Sequence, residues 1–357
     1  MSVIGNIVLF ALGALLVGGV LLSAIRTVVL PHAGSVRLTR AVFGGTRRMA
    51  RWYSRIDRSP HRRHGAMQLS VAVSLLLLPT VWLSVALGGY TLMFKGLGTA
   101  TWRASYDLSG SSLFTLGFAK PDDLVRLTLA FSASALAISI LALLLVTYLP
   151  TIYQAYTSRE AFLTSFETIA GDPPNVTAMI IRSHELSSLD RLSVIWVGWR
   201  EWFAELRESH TALPAVPFLG SSRNDRNWVA TVGTFLDAAA VSLAVLDHES
   251  DSVDSHVNAA LCIRAGSLAL RDIAAYFDID VDHNPQPTDP ISINRESFDA
   301  AYDQLVEAGV PVNDRDEAWL AWAGWRVNYD AALVALAVLT ASPTTRLTSG
   351  GTYGTIA

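Results

Sequence analysis

The sequence predicts an all-α membrane protein, on three observations. Residues 3–25, 67–94 and 127–153 contain no charged side chain. Each run exceeds the roughly 20 residues needed to cross a hydrocarbon core of about 30 Å. The chain is 51% hydrophobic and only 16% charged, and its apolar residues gather in these runs rather than spreading as they would in a soluble protein. The second half instead repeats apolar residues at helical spacing, with few stretches of strand alternation. Three transmembrane helices followed by a helical domain outside the bilayer account for all three.

Residues 1–30 hold the first span. Gly5, Gly13, Gly18 and Gly19 lie along it, and small residues let helices approach closely in lipid. Met1 to Ile25 has no Lys or Arg, so the run lacks the basic start of a cleavable signal peptide. Positive charge begins at Arg26 and concentrates in residues 31–65, a basic connector that includes Arg47, Arg48, Arg51 and Arg55 against the single acid Asp57. Apolar residues interleave with these arginines between 36 and 56, as in an amphipathic helix lying on anionic lipid headgroups. The adjoining spans make nucleic acid a poor partner for this cluster.

Residues 66–156 hold the second span, a polar stretch and the third span. Pro79 marks a kink point in the second. Residues 102–121 are too short and too polar to cross a bilayer, and a short helix is expected to end near Ser112 or Leu113. Asp122 and Asp123 suit the N-terminus of the third helix. Leu127 to Tyr148 contains neither Gly nor Pro, so any bend in that helix is expected at Pro150, the gate candidate. An excess of Lys and Arg in short loops marks the cytoplasmic side. The 31–65 connector therefore places the N-terminus outside, the 95–122 stretch outside and the C-terminal half in the cytoplasm. The implied location is the cell (inner) membrane.

The stretch Thr115-Leu116-Gly117-Phe118-Ala119, preceded by a short helix and flanked by two spans, resembles the pore loop of potassium-type cation channels. The resemblance covers residues 66–160. Tyr148-Leu-Pro-Thr-Ile-Tyr153, Arg159-Glu160, Ser209-His-Thr-Ala-Leu-Pro214 and Asn227-Trp-Val-Ala230 are similar to a bacterial family of channel-like membrane proteins with an all-helical cytoplasmic domain. The resemblance implies a re-entrant pore helix, a filter-like loop built from Thr115 to Ala119, and a pore mouth at Lys120, Asp122 and Asp123. It also implies a homotetramer, because one loop per chain supplies a quarter of a filter whose carbonyls replace the hydration shell of K+ or another monovalent cation. Ala119 stands where the family has Gly, and Lys120 where it has Asp. Both changes predict weak potassium selectivity or a filter closed at rest.

Residues 157–341 form the helical domain, where acidic residues outnumber basic ones roughly two to one. Trp196, Trp199 and Trp202 repeat at a spacing that marks a core or interface stripe. The Thr-, Gly- and Ser-rich residues 342–357 read as a disordered tail. Cys262 is the single cysteine, which excludes an intrachain disulfide. The chain contains no P-loop, GxSxG, HExxH or CxxC pattern, so it does not read as an enzyme, and no cofactor is expected. His184 and His210 stand alone and are expected at the surface or at helix caps. Asp278, Asp280, Asp282 and Asp289 occupy the oxygen-ligand positions of a calcium loop. His283 replaces the turn glycine of such a loop, however, and Pro285 and Pro287 stiffen it, so a solvated acidic loop is the simpler expectation. The function expected is a channel-like pore with a cytoplasmic regulatory domain. The alternative is a non-conducting membrane sensor or scaffold on the same fold.

Overall fold

A computed structural model describes residues 2–28, 41–42, 44–46, 48–49, 60–221, 227–247, 253–340, 342 and 347. Among them the chain is helical, with one isolated antiparallel bridge between Leu246 and Val312 and no strand. Three helical stretches are long and apolar enough to cross a membrane: Val3–Val28, Val73–Gly96 and Leu124–Ala170. The chain divides into two compact units, Met1–Gln154 and Ala155–Ala357. Arg47, Arg51 and Arg55 of the basic connector lie outside the described residues, and Arg48 is helical and exposed.

In the first unit α1 (Val3–Val28) packs antiparallel along α2 (Pro60–Gly96). Glycine permits the close crossing. A Cβ on Gly13 would meet Met93 Cγ at 2.7 Å, and one on Gly89 would meet Val17 Cγ2 at 2.9 Å. Gly18 and Gly19 face open space instead. Near the other end of α1, the Trp82 indole donates to Ser23 Oγ at 3.0 Å, so both buried polar groups are satisfied.

The short helix α3 (Trp102–Leu113) packs against both α2 and α4 (Leu124–Ala142). Thr101 caps its start by accepting from the Ala104 N–H at 3.1 Å. Asp123 caps α4 by accepting from the Arg126 N–H at 2.8 Å. The irregularity in the third helix is a π-helical segment, Leu143–Tyr148, in which the Leu149 N–H reaches back five residues to the Leu144 carbonyl. The α ladder would need an N–H from residue 150, which is proline, and the ring would crowd the carbonyl of Val146. The wider turn before Pro150 accommodates both demands. α1 packs on this segment, where Tyr148 is buried.

The second unit follows from α5 (Leu149–Ala170) and contains α6 (Val176–Glu185), α7 (Leu192–Ala212), α8 (Trp228–Ala244), α9 (Val253–Tyr276), α10 (Arg295–Glu307) and α11 (Arg315–Thr340). Every residue of α8 is buried, and α6, α7, α9 and α11 surround the core to which it belongs. Trp196, Trp199 and Trp202 are core residues. Trp199 stacks on Phe235 of α8 with centroids 3.5 Å apart, and Trp202 stacks on Phe162 at 4.7 Å. Of the tail read as disordered, Ser342 and Leu347 are described, and both are held. Ser342 Oγ accepts from Asn227 at 2.5 Å, and the buried Leu347 accepts from the Thr177 N–H at 3.1 Å.

Candidate functional site

The segment between α2 and α4 leaves and returns at one end of the first unit. Arg126 Nη2 donates to the Leu97 carbonyl at 2.9 Å, which ties the end of α2 to the start of α4. From there α3 descends between the two long helices. Ser109 Oγ donates to the Leu87 carbonyl at 2.9 Å, and Ser134 Oγ to the Ser112 carbonyl at 2.6 Å. Leu87 and Ser134 each lie ten residues from the tied end, counted from Leu97 and Leu124, a helical depth of about 15 Å. The chain then climbs back through residues 114–123. Ser105, Ser109, Ser111 and Ser112 are buried along α3, a polar seam inside an apolar unit.

The helix ends in a tight cap. The Leu116 N–H donates to the Ser111 carbonyl at 2.8 Å and the Thr115 N–H to the Ser112 carbonyl at 3.1 Å. The residue at the turn, Thr115, has φ +56°, and Gly117 has φ +71°. Left-handed backbone therefore falls on Thr115 and Gly117, while Ala119 is not among the positive-φ residues. The strain of the left-handed turn lies at Thr115, a β-branched residue for which that region is costly. Thr115 Oγ1 donates to the Phe114 carbonyl at 2.7 Å. Ala119 is held on both sides by one hydroxyl: its N–H donates to Ser111 Oγ at 3.0 Å, and Ser111 Oγ donates to its carbonyl at 3.3 Å.

This leaves residues 115–118 exposed at the surface of the unit. Thr115, Leu116, Gly117 and Phe118 are exposed, and Leu116 and Phe118 each keep 65% of their surface. Among the described residues the carbonyls of Leu116, Gly117 and Phe118 accept no hydrogen bond. Backbone oxygens of this kind can replace part of a cation's hydration shell.

The charges nearby are paired unequally. Arg126 forms ion pairs with Asp122 and, at 3.3 Å, with Asp123, and its side chain is only 15% exposed. The hydrogen bond from Arg126 holds the Asp122 carboxyl below the usual carboxylate range. Lys95 Nζ donates to the carbonyls of Thr99 at 2.8 Å and Ala100 at 3.1 Å. Lys120 is exposed and makes no ion pair among the described residues.

No protein-family model matches the chain, and no curated protein or solved structure matches it. The case for a function therefore rests on the site's own geometry.

Among the described residues no three His, Cys, Asp or Glu side chains converge as a metal site. The structure does not bring Asp278, Asp280, Asp282 and Asp289 together. Asp282 accepts from the Asn284 N–H and Asp289 from the Gln286 N–H, both at 2.8 Å, so these carboxylates hold local turns. Pro150 is the second residue of α5, just beyond the π segment. His210, expected at a surface or cap, is fully buried against the Trp228 ring. Burial, and then the positive charge of Arg159, keep its imidazole well below the ordinary histidine pKa. Burial pushes the Cys262 thiol up, so it stays protonated.

A buried charge cluster escapes sequence reasoning. Arg326 of α11 pairs with Asp237 of α8 and with Asp330 at 2.8 Å. The Tyr329 hydroxyl donates to Asp237 at 2.7 Å, and the Ser292 N–H and hydroxyl both donate to Asp330. Burial alone would pull the Arg326 pKa down, but the two carboxylates hold it above its ordinary value. The available signal was weak: Asp237 is the only charged residue of α8, while Arg326 is one of five charged residues of α11.

Proposed function

We propose that four copies of the first unit surround a cation pathway, with the carbonyls of Leu116, Gly117 and Phe118 as its narrow lining. The observation that carries this reading is the exposed loop at the end of a half-length helix, with carbonyls that accept no hydrogen bond among the described residues. A single copy leaves those oxygens and the Leu116 and Phe118 side chains open, and neighbouring copies would enclose them. The segment returning to the end it left fits a re-entrant pore helix. In this reading the 31–65 connector lies in the cytoplasm against anionic headgroups, and the α3 end of the unit faces outside. The π segment and Pro150 supply the gate, and the second unit regulates it.

The test is flux. Liposomes loaded with potassium and carrying the purified protein should dissipate the gradient, and the protein should run as a tetramer in mild detergent with four-fold particles in images. A monomer without flux would remove the channel reading. A second reading, a non-conducting sensor or scaffold, is favoured by the left-handed cap at Thr115, which folds the loop onto α3 rather than extending it. A tetramer with no flux under any tested condition would select that alternative.

A further inference from the structure

We propose that the second units of two copies pair face to face through α7 and α9, about a two-fold axis parallel to these helices. The inference goes beyond the pore reading and does not need it, because no residue of the first unit takes part.

α7 and α9 lie side by side and run in the same direction. Near their starts Asn258 Nδ2 of α9 donates to Ser193 Oγ of α7 at 2.9 Å, and near their ends Arg207 of α7 pairs with Asp272 of α9. Both bonds join residues 65 positions apart, so the two helices keep one level throughout. One face of each is buried in the core, and the opposite face is open and partly apolar. Val257, Leu261 and Leu268 of α9 are exposed, as are Val194 and Ala204 of α7, and Val194 keeps 74% of its surface. Val257, Leu261, Arg264 and Leu268 follow at intervals of four, three and four residues, the spacing of a seam that another helix fills.

Charge names that other helix. At about 100° per residue, Ala204, Leu261 and Leu268 turn toward the groove between α7 and α9. Glu201 falls on the edge of α7 away from α9, and Arg264 on the edge of α9 away from α7. Both are exposed, and neither makes an ion pair among the described residues. The face is thus apolar along its middle, acidic on one edge and basic on the other. By the relation of 65 positions Glu201 is level with Gly266, about 3 Å along the helix from Arg264. A two-fold axis parallel to the helices lays α7 of one copy on α9 of the other without changing level, so each Glu201 meets the partner's Arg264. A two-fold axis across the helices would lay α7 on α7, acidic edge on acidic edge, which like-charge repulsion opposes. The next acid and base along the edges, Glu205 and Arg271, are already bonded to Ser158 and to the carbonyls of His283 and Asn328. Glu201 and Arg264 are therefore the pair that selects a second copy of this chain, in one orientation, as the cover of the strip.

Cross-linking of the full-length chain in membranes tests this. Two tagged versions are co-expressed, one carrying Val194→Cys and the other Val257→Cys, while Cys262 is fully buried and stays out of the reaction. The two positions meet across the axis at levels about 3 Å apart, and mild oxidation should join the two tags. Val194→Cys with Val306→Cys is the collision control and should give little product, because Val306 is exposed on α10, which packs on α6 and α11. Glu201→Arg in both chains, or Arg264→Glu in both, turns two attractions into two repulsions and should lower the yield about fivefold at low salt. About 0.5 M salt should shrink that effect. Glu201→Arg combined with Arg264→Glu should restore the yield, which a folding defect would not allow. A yield no higher than the control overturns the pairing. An equally efficient disulfide between chains that carry only Val194→Cys overturns the orientation. Single reversals without effect, or a double reversal that fails to restore the product, overturn the role of Glu201 and Arg264. Absence of potassium flux would remove the pore reading and leave this yield as measured.

Discussion

Ser111→Ala removes the one hydroxyl that brackets Ala119. Two hydrogen bonds disappear, at 3.0 and 3.3 Å, and the Ala119 N–H and carbonyl lose their partner. Neutral hydrogen bonds contribute about 1 kcal/mol net each, so the held form of the loop should lose roughly 1–2 kcal/mol relative to a released one. That corresponds to about a five- to thirtyfold shift in population. Ala119 is half-buried, so its N–H is not simply solvated when the hydroxyl leaves. The assay is amide hydrogen exchange on the full-length protein in nanodiscs, resolved to residues 117–120. Exchange at Ala119 should accelerate by about that factor, while α1 and α2 stay unchanged. Ser109→Ala is the control: its hydroxyl serves the Leu87 carbonyl and does not touch the loop, so it should leave Ala119 exchange as it was. Acceleration below about twofold in Ser111→Ala would refute the claim that this hydroxyl holds the loop.

Three further outcomes are expected. Asp237→Ala should cost roughly 3–5 kcal/mol, because Arg326 and the Tyr329 hydroxyl lose a buried partner, while Asp237→Leu combined with Arg326→Met should recover most of that loss; thermal melts check both, and a melting point for Asp237→Ala within about 2 °C of the parent would count against it. Because the folded-state pKa of His210 lies below its unfolded value near 6.5, stability should be full above that pH and fall as pH drops below it; His210→Phe should flatten melting temperature between about pH 7 and 5, and a parallel decline in both proteins would assign the slope to other groups. Pro150→Ala lets the α ladder close across Leu143–Tyr148, so open probability in planar bilayers should shift with the reversal potential unchanged; identical currents would place the gate elsewhere.

The long helices were legible because continuous apolar runs have a single reading at their length. The bend site was legible only approximately. Pro150 announces a lost donor, but the sequence does not say how the helix absorbs it, and the π register before it depends on packing with α1. The loop was less legible still. Glycine normally marks left-handed backbone, so the pattern drew attention to Ala119 as the residue out of place, whereas the turn falls on Thr115. What permits this is the helix cap around it, a set of backbone bonds to Ser111 and Ser112 that composition does not reveal. Asp237 and Arg326 lie 89 positions apart, and a lone charge on one helix does not identify its partner among the five charges of another.

These tertiary bonds also indicate which parts of the first unit move together. α4 is fastened to its neighbours at two depths: to the end of α2 by Arg126 at the Leu97 carbonyl, and to α3 by Ser134 at the Ser112 carbonyl. Ser132 adds a tie from α4 to Tyr90 of α2 at 3.3 Å. All three anchors lie in the first eleven residues of α4, before Ala135. Beyond Ala142 the helix loses its α register for six residues and has a proline two residues later. The same helix is thus stiff where it holds the loop and compliant where it leaves the apolar core. A change of register at Leu143–Tyr148 would turn the residues after it by about 100°, one helical step, without breaking any bond that holds Thr115 to Ala119. Motion at Leu143–Pro150 and the conformation of the carbonyl loop are therefore separable in this chain, and substitutions at Ser134 and at Pro150 should have independent effects.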